Sequence, residues 1–304
     1  MEFLATYIMR GRMQAIIVAS TFAVLSLIFP PVSIVSSASV ALVTLRRGAT
    51  EGGYILICAC LASVLLGFFL IGNYQALLIY GLTLWTPIWL ISIVLREGRH
   101  LFLAVEIVIV IAAIAVLGAY LYQPNLAQFW QTLLNPMLKA TLANSDSNVS
   151  ATEITQFFTT TSHFMTGCAA LSYVIVVLAG LFLGRGWQAV LYNPGGFKKE
   201  YLALRGQSEL AIATLAILGT GLLFSGQVAE ICWNICILLF VLYALIGTTI
   251  LHCAFATLKQ SRFLLPFLYI TMMIIPQALI PAAILGLADT WLNLRNKIPN
   301  QTSV

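Results

Sequence analysis

Charge is what this chain has least of. Lys, Arg, Asp and Glu together make up 8% of its 304 residues, with 10 acids, 15 lysines and arginines and 3 histidines. A soluble domain carries about a quarter charged residues, so a water-facing surface of ordinary size is excluded. Cysteine is also scarce where an oxidising compartment would use it. Cys58, Cys60, Cys168, Cys232, Cys236 and Cys253 all lie in apolar runs and none in a polar loop. Cys232 and Cys236 are one helical turn apart, but no second pair stands nearby to complete a soft-metal site, so no metal is expected. The motifs of common enzymes are missing too. There is no metalloprotease helix motif, no serine–histidine constellation at recognisable spacing and no phosphate loop. A non-enzyme without a cofactor is expected.

Apolar side chain is what remains, at 61% of residues. Apolar segments fall at 14–29, 32–45, 54–71, 74–95, 101–122, 165–184, 209–225, 228–251 and 263–287. A run of about 20 apolar residues crosses a bilayer core, so the expected fold is an all-α, polytopic transmembrane helical bundle of eight or nine membrane segments. It is read as a single domain over 1–304 whose first solvent is the lipid bilayer. The opening MEFLATYIMRGRMQ and its apolar run mimic a signal peptide. The run continues past any small-residue cleavage site, so an uncleaved first helix is expected. The net charge of +5 then reflects cationic cytoplasmic loops, not nucleic-acid binding.

The first two segments meet at Phe29-Pro30-Pro31, where the helical ladder breaks. They form either a tight hairpin or one broken helix. With a hairpin and a cytoplasmic N-terminus, Arg10, Arg12, Arg46, Arg47, Arg96, Arg99, Arg185, Lys198, Lys199, Arg205, Lys259 and Arg262 lie inside. Lys139, Arg295 and Lys297 lie outside, a better positive-inside split than a single span gives. Arg295 and Lys297 fit poorly there, and Pro276 and Pro281 are placed to fold the last segment back.

Two stretches lie between segments. In 123–164, Leu126, Trp130, Leu133, Leu134, Met137 and Leu138 share a helical face, an amphipathic helix on the outer membrane surface, and a polar loop follows. Ser150 with Glu153 forms a capping box that starts the helix leading to the next span. In 185–207, Trp187 and Tyr192 are expected at headgroup level. Asn193-Pro194-Gly195-Gly196 makes a turn, and Phe197, Tyr201 and Leu204 face away from Lys198, Lys199 and Arg205. This cytoplasmic interfacial segment anchors the topology or docks a partner through Lys198 and Lys199.

The stretches WQAVLYNPGGFKKEYLALR, FPPVSIVSSASVALVTLRRGATEG and ILGLADTWLNLR resemble the YybS-like family of bacterial membrane proteins, a domain of unknown function. The resemblance covers nearly the whole chain except the outer loop. Gly286, Asp289, Trp291 and Arg295 carry its closing motif. It implies a bacterial inner-membrane protein with a fold similar to the S components of energy-coupling-factor vitamin transporters. In S components a similar alanine pattern on the first helix meets the membrane-embedded coupling subunit. Ala15, Ala19 and Ala23 lie four apart here, a face that either admits a partner helix or packs internally. Gly180 and Gly184 form a second small-residue pair, read as an internal seam. The chain departs from S components in its greater length and its outer amphipathic helix.

Ionisable groups within spans are costly and mark candidate sites. Glu106 either binds substrate or pairs with Arg96, Arg99 or His100. Glu230 and Asn234, with Asn73 and Gln75 in the preceding outer turn, are candidates for an outward polar pocket holding a small molecule. Gln277 beside Pro276 is a further lining candidate. Asp289 is expected to pair with Arg295 or with a basic residue elsewhere, and His163 and His252 to be satisfied locally. The leading function is binding, with or without translocation, of a small molecule in the manner of a transporter substrate-binding subunit. The rival is a membrane scaffold that docks partners through 187–205.

Overall fold

The computed structural model describes residues 2–72, 74–98, 100–144, 150–258 and 260–298. Among the described residues every regular element is helical and there are no strands. In chain order the helices are α1 (Glu2–Arg10), α2 (Arg12–Ser26), α3 (Ser33–Arg47), α4 (Ala49–Ile71), α5 (Gln75–Tyr80), α6 (Thr86–Gly98), α7 (Leu101–Tyr122) and α8 (Leu126–Asn144). They continue with α9 (Ala151–Ser162), α10 (Met165–Tyr192), α11 (Gly196–Leu202), α12 (Ser208–Leu223), α13 (Gln227–Ala256), α14 (Ser261–Ile274) and α15 (Leu279–Leu292). A π-helical stretch, Gly81–Trp85, joins α5 to α6.

Among the described residues five helices are long and apolar enough to cross a membrane, and six if the bent pair α14–α15 counts as one span. The chain is therefore a membrane-embedded helical protein. The expected eight or nine spans are not all reached by length. The segments α2, α3 and α12 have 15, 15 and 16 residues. At 1.5 Å per residue these reach about 24 Å at most, short of a hydrocarbon core of about 30 Å.

The chain divides into two compact units, Met1–Val108 with Tyr173–Leu204 and Ile109–Ser172 with Arg205–Val304. In the first, α2 and α3 form a hairpin across the Pro30–Val32 turn. The Ser36 hydroxyl donates to the Ala19 carbonyl at 2.7 Å, and Arg47 reaches the Met9 carbonyl at 2.7 Å. The two ends of the hairpin thus return to one side, as the charge distribution favours. Helix α3 is buried almost throughout, which its sequence permits. Ser37, Ser39 and Thr44 return their hydroxyls to carbonyls of their own helix, and its alanines and serines let neighbours close in. A Cβ on Gly180 would meet Ser37 Oγ at 2.8 Å, and one on Gly184 would meet Ala41 Cβ at 2.7 Å. The Gly180–Gly184 pair is thus the seam between α10 and α3.

Ala15, Ala19 and Ala23 are each fully buried within this unit. Ala15 packs with Ala38 and Leu42, and Ala19 and Ala23 with Val40, Ala59 and Trp85. The face considered for a partner helix is filled from within. Trp187 is buried with Ala5, Ile8 and Leu42, in a cluster to which α1 contributes.

In the second unit the 30-residue α13 is the spine, packed by α12 and α15. The α13–α15 contact is backbone on backbone. A Cβ on Gly286 would lie 2.0 Å from the Tyr243 carbonyl oxygen, and one on Gly247 would lie 1.7 Å from that of Ala282. Helices α14 and α15 are bent by 116° around Pro276–Ala278, a break that starts at the first of the two prolines. The capping box at Ser150 is present, with the Glu153 amide donating to Ser150 Oγ at 3.2 Å.

Helix α8 lies against α9. Leu126 is buried and Trp130, Leu134 and Leu138 are half-buried, so part of the apolar face assigned to lipid is taken up by protein. Leu133 and Met137 stay exposed.

Candidate functional site

Two polar sites stand out, one in each unit. The site of the second unit is built on the first turns of α13. Glu230 is four residues before Asn234, so both project from one helical face. Tyr120, near the end of α7, donates from its hydroxyl to Glu230 Oε1 at 2.8 Å. His163 Nδ1 lies 2.6 Å from Glu230 Oε2. Both carboxylate oxygens are therefore engaged, in a side chain with 17% of its surface exposed.

Asn234 is wholly buried and ties the site together. Its Nδ2 donates to Tyr120 Oη at 3.1 Å, the His163 carbonyl at 2.7 Å and the Glu230 carbonyl at 2.8 Å. Its Oδ1 accepts from the Gly167 amide. This needs close contact, since a Cβ on Gly167 would stand 2.7 Å from the Asn234 carbonyl oxygen. The helix primed by the capping box stops at Ser162, and α10 begins at Met165. That break turns the His163 carbonyl and ring toward α13. On the other flank, Trp130 Nε1 donates to Thr166 Oγ1 at 2.9 Å and Gln131 Nε2 to Ser162 Oγ at 3.2 Å, holding α8 in place.

These groups open onto a cleft of about 720 Å³ whose polar lining includes Asn125, Gln128, Gln131, His163, Gln227 and Glu230, with Phe164 and Trp233 as its aromatic wall. Among the described residues neither Lys nor Arg lines it. One carboxylate among uncharged amides favours a hydrogen-bonding or cationic guest over an anion.

Of the residues singled out in the sequence, Glu230 and Asn234 come together here. Glu106 is half-buried on the part of α7 that belongs to the first unit, as does Gln75, exposed at the start of α5. Asn73 lies outside the described residues, as do Arg99 and Lys259. Gln277 is exposed at the α14–α15 bend. Tyr120, Gly167 and the glutamines of α8 were not anticipated, and His163 was assigned only a local role. Nothing in their spacing announces that they meet Glu230. His252, the other span-end histidine, has its Nδ1 2.9 Å from Tyr269 Oη.

The site of the first unit lies where α3, α6 and α10 end. Arg96 donates to the Leu45 carbonyl at 3.2 Å, and Gln188 to the same carbonyl at 3.2 Å. Arg185 pairs bidentately with Glu200 through Nε and Nη2, and the Arg46 guanidinium stacks 4.0 Å over the Tyr192 ring. A pocket of about 570 Å³ lies among them. Arg96 satisfies carbonyls at the C-terminal end of α3 and sits at its negative dipole end, which is a structural task. Gly195, at φ 80°, makes the turn into α11. There Phe197 and Tyr201 pack on Phe182 of α10, while Lys198 and Lys199 are exposed.

The closing motif is structural as well. Asp289 is buried and faces Arg295 Nε at 3.4 Å. They meet because Asn293 takes a left-handed φ of 48° that ends α15 and folds Arg295 back, not because one helix carries both. Arg295 also donates to Thr249 Oγ1 at 2.7 Å. Burial lowers its pKa from the ordinary arginine value, against Asp289, which raises it. Trp291 is exposed. Among the described residues no three His, Cys, Asp or Glu side chains cluster to hold a metal.

Comparison with family models, curated proteins and solved structures gives no match to this chain.

Proposed function

We propose that this membrane protein binds, and in a larger assembly translocates, a small molecule at the Glu230 cleft, in the manner of a transporter substrate-binding subunit. The observation that carries this reading is a carboxylate held by Tyr120 and His163 at the edge of an open, amide-lined cleft. A carboxylate at a helix start in a purely structural role has no need of such a cavity. In this reading the protein is a bacterial inner-membrane protein of the YybS-like type with eight or nine membrane segments. Its N-terminus is cytoplasmic and the cleft faces outward, and no nucleic acid is involved. Energy for transport comes from a coupling subunit or an ion gradient, since no phosphate loop is present in the sequence. The buried Ala15–Ala19–Ala23 face directs the search for a partner contact to other surfaces.

The test is to purify the protein in mild detergent, extract it and identify small molecules that co-purify by mass spectrometry. A ligand retained by the wild type and lost from Glu230→Gln supports the reading. A molecule retained equally by both, or none retained by either, counts against the cleft as a tight binding site. The scaffold reading has its own support in the exposure of Lys198 and Lys199. A stoichiometric protein partner lost on Lys198→Glu/Lys199→Glu would favour it.

A further inference from the structure

The polar cleft does not end at its aromatic wall. Phe164 and Trp233 also line a second cavity of about 430 Å³, whose other lining residues come from α12, α13 and α15. Leu218, Ile237, Phe240, Ile284 and Leu287 make this groove almost wholly apolar. The two cavities thus lie end to end in one unit, sharing the same two rings. Helix α13 carries both chemistries in sequence. Glu230 comes first, then Trp233, and then Ile237, Phe240 and Tyr243 at helical spacing. From Trp233 to Tyr243 the helix rises ~15 Å, about the reach of an extended dodecyl chain. The Trp233 ring is held at the junction from behind, because a Cβ on Gly221 would meet it at 3.5 Å.

We propose that the Glu230 cleft and the adjoining apolar groove are two halves of one site, which takes an amphiphile with a cationic amine head and a single unbranched tail. The proposal rests on the reading of the cleft as a ligand site and names its substrate class. The head group follows from the lining. Among the described residues Glu230 is its one carboxylate, the side chains of Asn125, Gln128, Gln131 and Gln227 are uncharged acceptors and donors, and Trp233 supplies an aromatic ring of the kind that attracts an ammonium. The tail follows from the groove, which offers apolar surface and almost no polar atoms, so it favours methylene chain over any polar extension. A free amino acid or vitamin-sized polar molecule would leave the groove unused, and a neutral hydrocarbon would leave Glu230 unused.

The experiment uses the full-length protein in mild detergent and native mass spectrometry with three probes: dodecylamine, butylamine and dodecanoate. Dodecylamine is expected to be retained at one per chain, with butylamine at least about tenfold weaker and dodecanoate not retained. Glu230→Gln, which removes the charge but keeps an acceptor for Tyr120, is expected to weaken dodecylamine retention about tenfold or more. Ile284→Trp fills the groove from a position that is 63% exposed and tolerant of bulk. It is expected to weaken dodecylamine similarly and to leave butylamine unchanged. Dodecylamine retention that ignores Glu230→Gln would overturn the proposal and leave the groove as a resting place for bilayer lipid. Butylamine bound as tightly as dodecylamine, dependent on Glu230 and indifferent to Ile284→Trp, would overturn the amphiphile and keep the cleft. Retention of dodecanoate in place of dodecylamine overturns the head-group assignment. Binding of no probe in a Glu230-dependent way overturns both readings.

Discussion

Asn234 is the residue on which the candidate site depends. It is buried, it donates to three acceptors on three chain segments and it accepts from a fourth. Asn234→Ala removes all four bonds and leaves the Gly167 amide and the His163 carbonyl without the side-chain partner they have now, while the Glu230 carbonyl keeps its bond within α13, at about 1–3 kcal/mol for each group left unsatisfied. We expect a loss of about 3 kcal/mol in stability, read as a lower unfolding midpoint in detergent. Glu230→Gln should cost under about 1 kcal/mol, because the side chain remains able to accept from Tyr120 and keeps its place in the cleft. An equal drop for both variants would mean that Glu230 is a structural ion-pair member and not a binding group.

The sequence showed half of this arrangement. Glu230 and Asn234 are visible as polar residues one turn apart at the start of an apolar run. Tyr120 and His163 enter from positions 110 and 67 residues away from Glu230, and no local pattern connects them. Glu106 looks like Glu230 by every local measure, yet it lies on the part of α7 that belongs to the other unit. Polarity inside a span identifies a costly residue without saying which neighbours offset the cost. The burial of Trp187 was hidden for a related reason. Aromatics at span ends usually settle at headgroups, but a terminal helix too short to be noticed as a span helps bury this one.

At the scale of elements, small residues decide which helices touch. Gly247 and Gly286 put α13 and α15 in backbone contact, and a Cβ on either would overlap a carbonyl. Gly286→Ala should therefore destabilise by about 2 kcal/mol or more despite alanine's better helix propensity, which is worth up to about 1 kcal/mol in the other direction. A thermal unfolding series in one detergent checks this, and a neutral or stabilising result would mean that α15 can shift away from α13. Ala19→Leu should lower stability similarly, because that site is filled by α3 and α4. A face kept open for a partner would instead tolerate leucine in the isolated protein. The period of four among Ala15, Ala19 and Ala23 is legible in sequence as a close-approach face. Whether a helix of the same chain or another chain takes it is not, since both use the same small residues. The capping box, by contrast, is fully local and was legible down to the residue.

At the scale of the whole molecule, the backbone path bears on the cations that the charge count placed least comfortably. Counting from the segments put Arg295 and Lys297 alone with Lys139 on the outer side. The 116° bend after α14 turns the chain around, and Arg295 then hydrogen-bonds Thr249, two turns before α13 ends at Ala256. Arg205, at the start of the strand of chain leading to α12, bonds Asn293 beside it. Arg295 and Arg205 thus lie near the end of α15 in the second unit, and we expect Arg295 and Lys297 on the same membrane side as Arg205. The expected outcome is specific. In a background with the six native cysteines replaced, Leu258→Cys and Lys297→Cys, both exposed sites, should react with a membrane-impermeant maleimide from the cytoplasmic side only. Gln128→Cys, in the lining of the cleft, should react only from the other side. Labelling of Lys297→Cys together with Gln128→Cys would mean that α14 and α15 act as one kinked span instead of a return. The cation asymmetry would then have to be carried by the remaining loops alone.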